Sequence, residues 1–284
     1  NLYKKNNKTK TNYQFLIDSL SNKKNNDNKS IDLQINSIII RHGAIRYRCL
    51  SEVNKKNSFS LNNINIKNIS GHIILDKFSN DSINIKVKKL SLEEHSGIKL
   101  KKLSFKVAAN KTHLALNTFN LELPSSRVHI DSIDASYTLK DGSIYFPALK
   151  FRGNISDSYI TPSDFSFYFP KMKGFKYKIL CRADIYGVGK SIYINNLLIN
   201  ESTNLFNLSS TIRVNKHFSS WYIDRFIFKT NSDNIKTICK KIPDIKIPKM
   251  ISKLGNIKIV GKSQYRNHNK EISCVILPCH FYKG

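Results

Sequence analysis

Apolar and polar residues alternate in three consecutive stretches of the chain, and this feature restricts the fold more than any other. The first stretch runs from Ile83 to Leu92, the second from Ile98 to Val107 and the third from Leu114 to Leu123. Alternation at a period of two is typical of strands with one apolar face. Its serial repetition with short polar joints predicts a sheet that grows strand by strand.

Each stretch contains a three-residue step between its alternating pairs, such as the step from Val87 to Leu90. A strict period of two would send the second pair to the opposite face. A β-bulge adds one residue, bends the strand and returns the second pair to the first face. A two-residue turn between short strands is the competing interpretation. In either case the apolar residues share one side, and the sheet curls around them.

The alternation continues on both sides of these stretches. Apolar residues from Ile31 to Ile40 stop at Arg41-His42-Gly43 and resume at Ile45, which predicts a strand, a glycine-containing turn and a second strand. No helix is needed between neighbouring strands, so we expect an antiparallel sheet. Further strands are predicted over residues 59–75, 128–139, 175–181, 192–199, 205–214 and 221–228.

Three short segments carry helix signals. Residues 161–164 read Thr-Pro-Ser-Asp, the form of a helix start, although the alternating phenylalanines over 165–169 favour a strand there. Residues 232–242 predict a second helix, with an acid near its start, two lysines near its end and a proline after it. Residues 248–254 predict a third short helix that ends at a glycine.

Length and composition suit a folded protein, because 284 residues with 40% hydrophobic side chains can bury a core. Residues 1–30 are rich in Asn, Lys and Ser and predict a polar linker. Residues 31–284 then form the β segment, with a possible subdivision near 152–165. The chain begins at Asn1, and no stretch approaches the ~20 apolar residues of a membrane helix. We therefore expect an interior segment of a longer protein, with a membrane anchor upstream.

The net charge of +27 raises nucleic acid or an anionic membrane as a partner. However, Lys, Ile and Asn are all used heavily, as in proteins from AT-rich genomes, and the lysines are spread along every strand. A solvated outer face of a sheet explains this pattern best. We expect no nucleic-acid partner and keep a basic nucleic-acid-binding protein as the weakest alternative.

Motifs for catalysis or phosphate binding are incomplete. Residues 187–191 end like a phosphate-binding loop, but Asp184 occupies the position where that motif requires glycine. Glu93-Glu94-His95 precedes Ser96-Gly97, which marks a solvated turn more readily than a catalytic pair. The histidines include no His-Glu-x-x-His spacing. We therefore expect no enzyme, no metal and no cofactor.

The five cysteines also lack a metal or redox spacing. Cys274 and Cys279 flank a proline and would be able to pair in an oxidising compartment. Their spacing is equally that of two unrelated strand residues, and we favour the unpaired interpretation.

Several runs of the chain resemble a known family. Residues 31–47, 98–107 and 121–127 resemble the periplasmic part of TamB, the translocation and assembly module of the AsmA-like superfamily, particularly its Bacteroidetes-type members. Pro243 and Pro248, followed by Leu254-Gly-Asn-Ile-Lys-Ile-Val-Gly, look like the recurring proline-rich helix and strand entry of those proteins. The resemblance covers most of the chain from residue 13 to residue 261.

This resemblance implies a long curved antiparallel sheet that forms a hydrophobic groove, sometimes called a β-taco. Members are anchored in the inner membrane, cross the periplasm of diderm bacteria and are implicated in moving phospholipid toward the outer membrane. TamB-type members also work with a BamA-like outer-membrane barrel. The resemblance therefore implies a lipid-conducting periplasmic bridge, with a scaffold for outer-membrane protein assembly as the alternative.

An apolar strip along one side of the sheet is consistent with acyl-chain binding, since an uncovered strip of this size is an aggregation hazard. The alternative is that the same residues close on themselves as the core of a β-sandwich. The candidate groove-lining residues are Ile83, Ile85, Val87, Leu90, Leu92, Leu100, Leu103, Phe105, Val107, Leu114, Leu116, Phe119, Leu121, Leu123, Ile130, Ile133, Ile194 and Leu197.

Overall fold

The alternating stretches form strands in the computed structural model of the chain. The structure describes residues 2–4, 36–51, 60–78, 81–140, 142–215, 220–240, 254–266, 271–276 and 280–282. Most of the predicted linker at residues 1–30, most of the predicted helix at 248–254, and Cys279 lie outside these ranges. Residues 2–4 form a strand.

The first nine strands are β1 (Leu2–Lys4), β2 (Ser37–Cys49), β3 (Asn63–Phe78), β4 (Ser82–Glu94), β5 (Lys99–Asn110), β6 (His113–Glu122), β7 (Arg127–Ser136), β8 (Leu139–Lys140) and β9 (Ser143–Ile144). The remaining strands are β10 (Lys150–Ile160), β11 (Ile179–Val188), β12 (Ser191–Glu201), β13 (Phe206–Asn215), β14 (Ser220–Asn231), β15 (Asn256–Arg266), β16 (Glu271–Ile276) and β17 (His280–Tyr282). The helices are α1 (Ser232–Cys239) and three 3-10 helices at Phe146–Ala148, Pro162–Phe165 and Pro170–Gly174.

Fifteen of these strands form one open sheet. They follow one another in chain order from β1 to β7 and from β10 to β16, while β8 and β9 pair only with each other and β17 pairs with β15. The strand pairs are antiparallel except for β1, which lies parallel to β2. The predicted antiparallel sheet is confirmed, because short connections between sequential strands permit only this arrangement.

The three-residue step in the first stretch is a bulge. Val87 and Leu90 lie on the single strand β4, opposite Phe105 and Leu103, and the pairing shifts register between them. The extra residue returns Leu90 to the face that carries Val87. The bulge prediction is therefore confirmed here, and the competing two-residue turn is wrong.

The predicted turn at residues 41–43 is also a bulge. β2 runs without a break from Ser37 to Cys49, and its register against β3 shifts on both sides of Gly43. His42 has a φ of 54°, the left-handed conformation. A single left-handed residue bends a strand without reversing it. The prediction of two strands joined by a turn is therefore wrong.

Four other strands repeat this device. Asn68 in β3, Thr118 in β6, Asp157 in β10 and Asn196 in β12 have positive φ, and each stands where the register against a neighbour shifts. Asparagine and aspartate tolerate this conformation better than most residues. Bulges bend strands and increase their twist, so bends recur across the sheet.

Two phenylalanines lie across glycines of the neighbouring strand. Phe151 of β10 is directly opposite Gly187 of β11, and Phe226 of β14 is opposite Gly261 of β15. A Cβ at Gly187 would overlap the Phe151 ring, and one at Gly261 would lie 2.7 Å from Phe226 Cζ. The ring fills the space that the glycine leaves, so Gly187 serves close packing rather than a phosphate loop.

The helix predictions are confirmed in part. Pro162–Phe165 form a 3-10 helix rather than a strand, but the side chain of the cap residue Thr161 accepts no hydrogen bond from the first turn. The predicted helix at 232–242 is α1, whose cap is Asn231, accepting a hydrogen bond from the Asn234 amide at 2.8 Å. The strand predicted at 175–181 begins only at Ile179, because the chain from 161 to 178 leaves the sheet.

The Phe151–Gly187 pair predicts a steric effect on stability. Substitution Gly187→Ala should lower the free energy of unfolding by about 1–3 kcal/mol, since the added methyl group displaces the Phe151 ring. Gly71→Ala is the matched control, because a Cβ there approaches nothing closer than the end of the Leu90 side chain, at 3.3 Å, and the Lys89 carbonyl, at 3.6 Å. Urea denaturation followed by circular dichroism measures both, and equal losses would contradict the packing role of the glycine.

Candidate functional site

Strand pairing brings the predicted residues to one side of the sheet, which we call the apolar face. Directly opposed residues of antiparallel strands share a face. One row runs from Ile85 on β4 through Val107, Leu116 and Ile133, and continues through Gly153 to β14. The predicted residues on this face are Ile83, Ile85, Val87, Leu90, Leu92, Leu100, Leu103, Phe105, Val107, Leu114, Leu116, Phe119, Leu121, Ile130, Ile133, Ile194 and Leu197.

Among the described residues, no second layer covers most of the apolar face. Only Val87 of the predicted residues is buried, with 6% of its surface exposed, and the others are half-buried. A β-sandwich would bury the inner face against a second sheet about 10 Å away. In the part of the chain that the structure describes, only the β8–β9 hairpin and short helices lie outside the sheet. A closed sandwich core does not fit this arrangement.

Residues 161–178 cover one end of the apolar face, and we call them the covering segment. Hydrogen bonds tie it to the turn between β6 and β7. The Thr161 amide donates to Ser126 Oγ at 2.9 Å, and the Thr161 hydroxyl donates to the Ser125 carbonyl at 2.7 Å. The Asp164 carboxylate accepts from the Ser125 amide at 2.9 Å and from Ser126 Oγ at 2.7 Å. Thr161 and Ser126 are both 2% exposed, so this attachment excludes water.

A cavity of about 790 Å³ lies between the covering segment and the sheet. Leu121, Leu123 and Val128 line it from the sheet, while Phe165 and Phe167 line it from the covering segment. Lys99 and Lys173 line it as well, and so does Asp164, whose carboxylate accepts hydrogen bonds from Ser125 and Ser126. Leu123 lies just past the end of β6 and is the one predicted groove-lining residue outside a strand. The cavity combines an apolar wall with positive charge.

The opposite face of the sheet is polar around Asp131, although Leu180 and Leu198 are exposed on it elsewhere. The Asp131 carboxylate accepts hydrogen bonds from Ser156 and Asn154, each at 2.9 Å, and lies 2.8 Å from His129 Nε2. These hydrogen bonds, led by that of Ser156, lower the pKa of Asp131. A shallow cavity of about 760 Å³ beside it is lined by three aspartates and Arg152. Within the described ranges, no three or more His, Cys, Asp or Glu side chains are grouped so that they could hold a metal ion.

Two glutamates at turns of the sheet are buried, and the burial of one of them contradicts a prediction made from the sequence. Glu94, expected in a solvated turn, is 7% exposed, and its carboxylate accepts from the Ser96 amide at 2.7 Å. Glu201 is 1% exposed and accepts from the Thr203 amide at 2.8 Å and hydroxyl at 2.6 Å. Both carboxylates organise turns at the end of the sheet that the covering segment occupies.

Hydrogen bonds, not burial, decide the ionisation of Glu201. Burial by itself would raise its pKa, but the hydrogen bonds from Thr203, Leu205 and Ser202 together hold the pKa below its usual value. The same balance lowers the pKa of Glu94, where Ser96 and Asn65 donate. Both side chains are therefore charged at neutral pH and stabilise their turns in that form.

A repeated tripeptide escaped the sequence analysis. Tyr-Phe-Pro occurs at residues 145–147 and again at 168–170, and each copy lies beside a 3-10 helix at an opposite end of β10. Tyr168 and Phe169 are 51% and 62% exposed. A search for repeated tripeptides would have found both copies, whereas alternation at a period of two did not.

Comparison with family models, curated proteins and solved structures finds no match to this chain. The resemblance to the AsmA-like superfamily therefore stays a prediction that depends on the runs quoted above. Within the described residues, no helix has both the length and the apolar character that crossing a bilayer requires.

Glu201 predicts a pH-dependent contribution to stability. Because its pKa is lowered in the folded state, the carboxylate stabilises the protein above about pH 4.3 and loses this contribution as the pH falls further. Glu201→Gln should cost about 1–3 kcal/mol at pH 7, since an amide nitrogen then faces buried donors. The difference from wild type should shrink in acid.

Chemical denaturation between pH 7 and pH 3 measures this effect. Glu122→Gln is the control, because Glu122 lies 4.0 Å from Lys102 in a partly exposed pair whose loss should change stability by less than about 1 kcal/mol. A Glu201→Gln variant as stable as wild type at pH 7 would contradict the role given to this carboxylate.

Proposed function

We propose that the apolar face binds the acyl chains of phospholipids and acts as a non-enzymatic lipid conduit. The observation that carries the proposal is a fifteen-stranded sheet with one apolar face and only eight buried hydrophobic side chains among the described residues. A protein in water rarely leaves so large an apolar area without a partner. The partner must be apolar, elongated and able to follow a row of side chains from strand to strand.

Acyl chains meet these requirements. Each buried methylene group contributes about 0.8 kcal/mol, so one chain lying along the face gains substantial free energy without any specific hydrogen bond. The phosphate headgroup needs water or a positive charge. Lys99 and Lys173, beside the apolar wall of the cavity, offer such a charge, although Lys99 also lies 3.7 Å from Glu93.

Bulges support the groove-like form of this conduit. Within the sheet they recur at neighbouring positions, for example between Val87 and Leu90 on β4 and at Thr118 on β6. A row of bends makes a sheet concave toward one face. We propose that the concave side is the apolar face, which would shelter acyl chains while their headgroups stay in water.

The setting of the conduit comes from the sequence resemblance. AsmA-like proteins extend from the inner membrane across the periplasm, so we propose that this chain is a segment of such a bridge and supports outer-membrane biogenesis. A one-faced sheet built strand by strand suits this task, because further strands lengthen the path without changing its cross-section.

Photo-crosslinking tests the proposal. A photo-reactive amino acid at Leu103 or Leu121, which oppose each other on the apolar face, should crosslink phospholipid in cells. Ser104 and Asn120 are the matched controls, since they oppose each other on the same strands but on the polar face. Mass spectrometry identifies the adducts. Lipid adducts at the first pair and not at the second are the expected result.

Lipid that copurifies with the chain provides the second measurement. Mild extraction should retain phospholipid, and Leu103→Glu should reduce the bound amount several-fold, whereas Ser104→Glu should not. Absence of lipid from both the crosslinks and the purified protein would overturn the proposal. Crosslinks from Leu103 to outer-membrane proteins alone would instead favour an assembly scaffold.

A further inference from the structure

We propose that the covering segment docks onto an anionic lipid bilayer through an aromatic tip formed by Tyr168 and Phe169. This docking goes beyond the proposed conduit, because it assigns a membrane-contacting surface to one end of the sheet. It does not require that lipid occupies the apolar face. The partner is a bilayer rather than a single lipid molecule.

The aromatic tip has the exposure that membrane insertion requires. Phe169 is 62% exposed and Tyr168 is 51% exposed, unlike Phe165 and Phe167 of the same segment, which are half-buried. Tyrosine is favoured at the membrane interface because its ring is apolar and its hydroxyl is polar. Insertion of the phenylalanine ring removes its apolar surface from water and so favours binding.

Positive charge surrounds the tip. Lys171, Lys173, Lys176 and Lys178 follow it within ten residues, and all four are exposed. The only acid of the covering segment is Asp164, whose carboxylate is bound by Ser125 and Ser126. A lysine near an anionic bilayer is attracted to its surface, so charge and insertion act together. Stable membrane attachment generally needs two such signals.

Hydrogen bonds fix the conformation of the aromatic tip in the protein alone, without a membrane. The Phe169 amide donates to the Phe165 carbonyl at 2.9 Å, and the Met172 amide donates to the Phe169 carbonyl at 2.8 Å. At the base, Phe175 is 5% exposed and its carbonyl accepts from the Ser163 amide at 3.0 Å. A preorganised tip does not lose conformational entropy when it binds.

The tip is continuous with the cavity beneath the covering segment. The ring of Phe167, which lines the cavity, lies 4.5 Å from the Tyr168 ring, and the Phe169 ring lies 6.4 Å beyond. Lys173 lines the cavity and is also one of the four lysines that follow the tip. Docking would therefore place the mouth of the cavity at the bilayer surface.

The second Tyr-Phe-Pro copy supplies a matched control within the same chain. Tyr145 and Phe146 are 38% and 49% exposed at the opposite end of β10. Fewer lysines adjoin them: Lys140 lies over the Tyr145 ring, Lys150 starts β10, and Lys190 follows Gly189, whose amide donates to the Leu149 carbonyl at 2.8 Å. The two copies share their aromatic residues and differ in the charge around them. A comparison of the two therefore separates non-specific hydrophobic adsorption from the proposed docking.

Vesicle binding tests the proposal on the full chain. Wild type should cosediment with vesicles of phosphatidylcholine and phosphatidylglycerol, and binding should weaken with added salt or without phosphatidylglycerol. Tyr168→Asp with Phe169→Asp should reduce binding about tenfold or more. Lys171→Glu with Lys173→Glu should reduce the preference for anionic vesicles. Tyr145→Asp with Phe146→Asp should bind like wild type.

A fluorescence measurement keeps the outcome independent of folding defects. Phe169→Trp should show a blue-shifted emission when anionic vesicles are added, whereas Phe146→Trp should not, and Trp221 is a common background in both. Equal shifts for both variants, or no shift for either, would overturn the docking. Binding to RNA but not to anionic vesicles would overturn it as well.

The experiments can overturn the proposed lipid conduit and the proposed membrane docking independently of each other. Loss of vesicle binding with lipid still crosslinked at Leu103 would overturn the docking alone. Vesicle binding that depends on Phe169, with no lipid at Leu103, would overturn the conduit alone.

Discussion

A single constraint underlies the structure: the long strands must keep most of their apolar side chains on one face of a sheet that has no second layer among the described residues. Bulges satisfy it. Where a three-residue step such as Val87 to Leu90 would reverse the alternation, one added residue restores it. Without these bulges, half of each strand would turn its apolar residues toward the polar face, and the continuous row from β4 to β14 would be lost.

Glycines and buried carboxylates stabilise this thin architecture locally. Phe151 fills the space over Gly187, which replaces part of the packing that a second layer would provide. Glu94 and Glu201 order turns at one end of the sheet by accepting backbone hydrogen bonds. That end also carries the covering segment, so the best-packed part of the molecule is a rim rather than a central core. Most of the buried polar side chains are concentrated there.

The rim brings together the two proposals on function. An apolar face needs an apolar partner, and a bilayer is the natural source of one. The cavity under the covering segment has an apolar wall and two lysines, and the aromatic tip lies beside it. Placement of the tip at a bilayer surface would give acyl chains a short path to the face. Charge spread over the strands contributes less, because its lysines are solvated.

Most strands, their one-faced alternation and their antiparallel order could be predicted from the sequence, since these depend on local periodicity and short connections. All the candidate residues in strands lie on the shared face for the same reason. The bend at residues 41–43, the burial of Glu94 and the cavity under residues 161–178 could not be predicted in this way. Those features depend on partners distant in the chain: β3 for the bulge, the Asn65 amide for Glu94, and Ser125 and Ser126 for the covering segment. Local periodicity carries no information about such contacts.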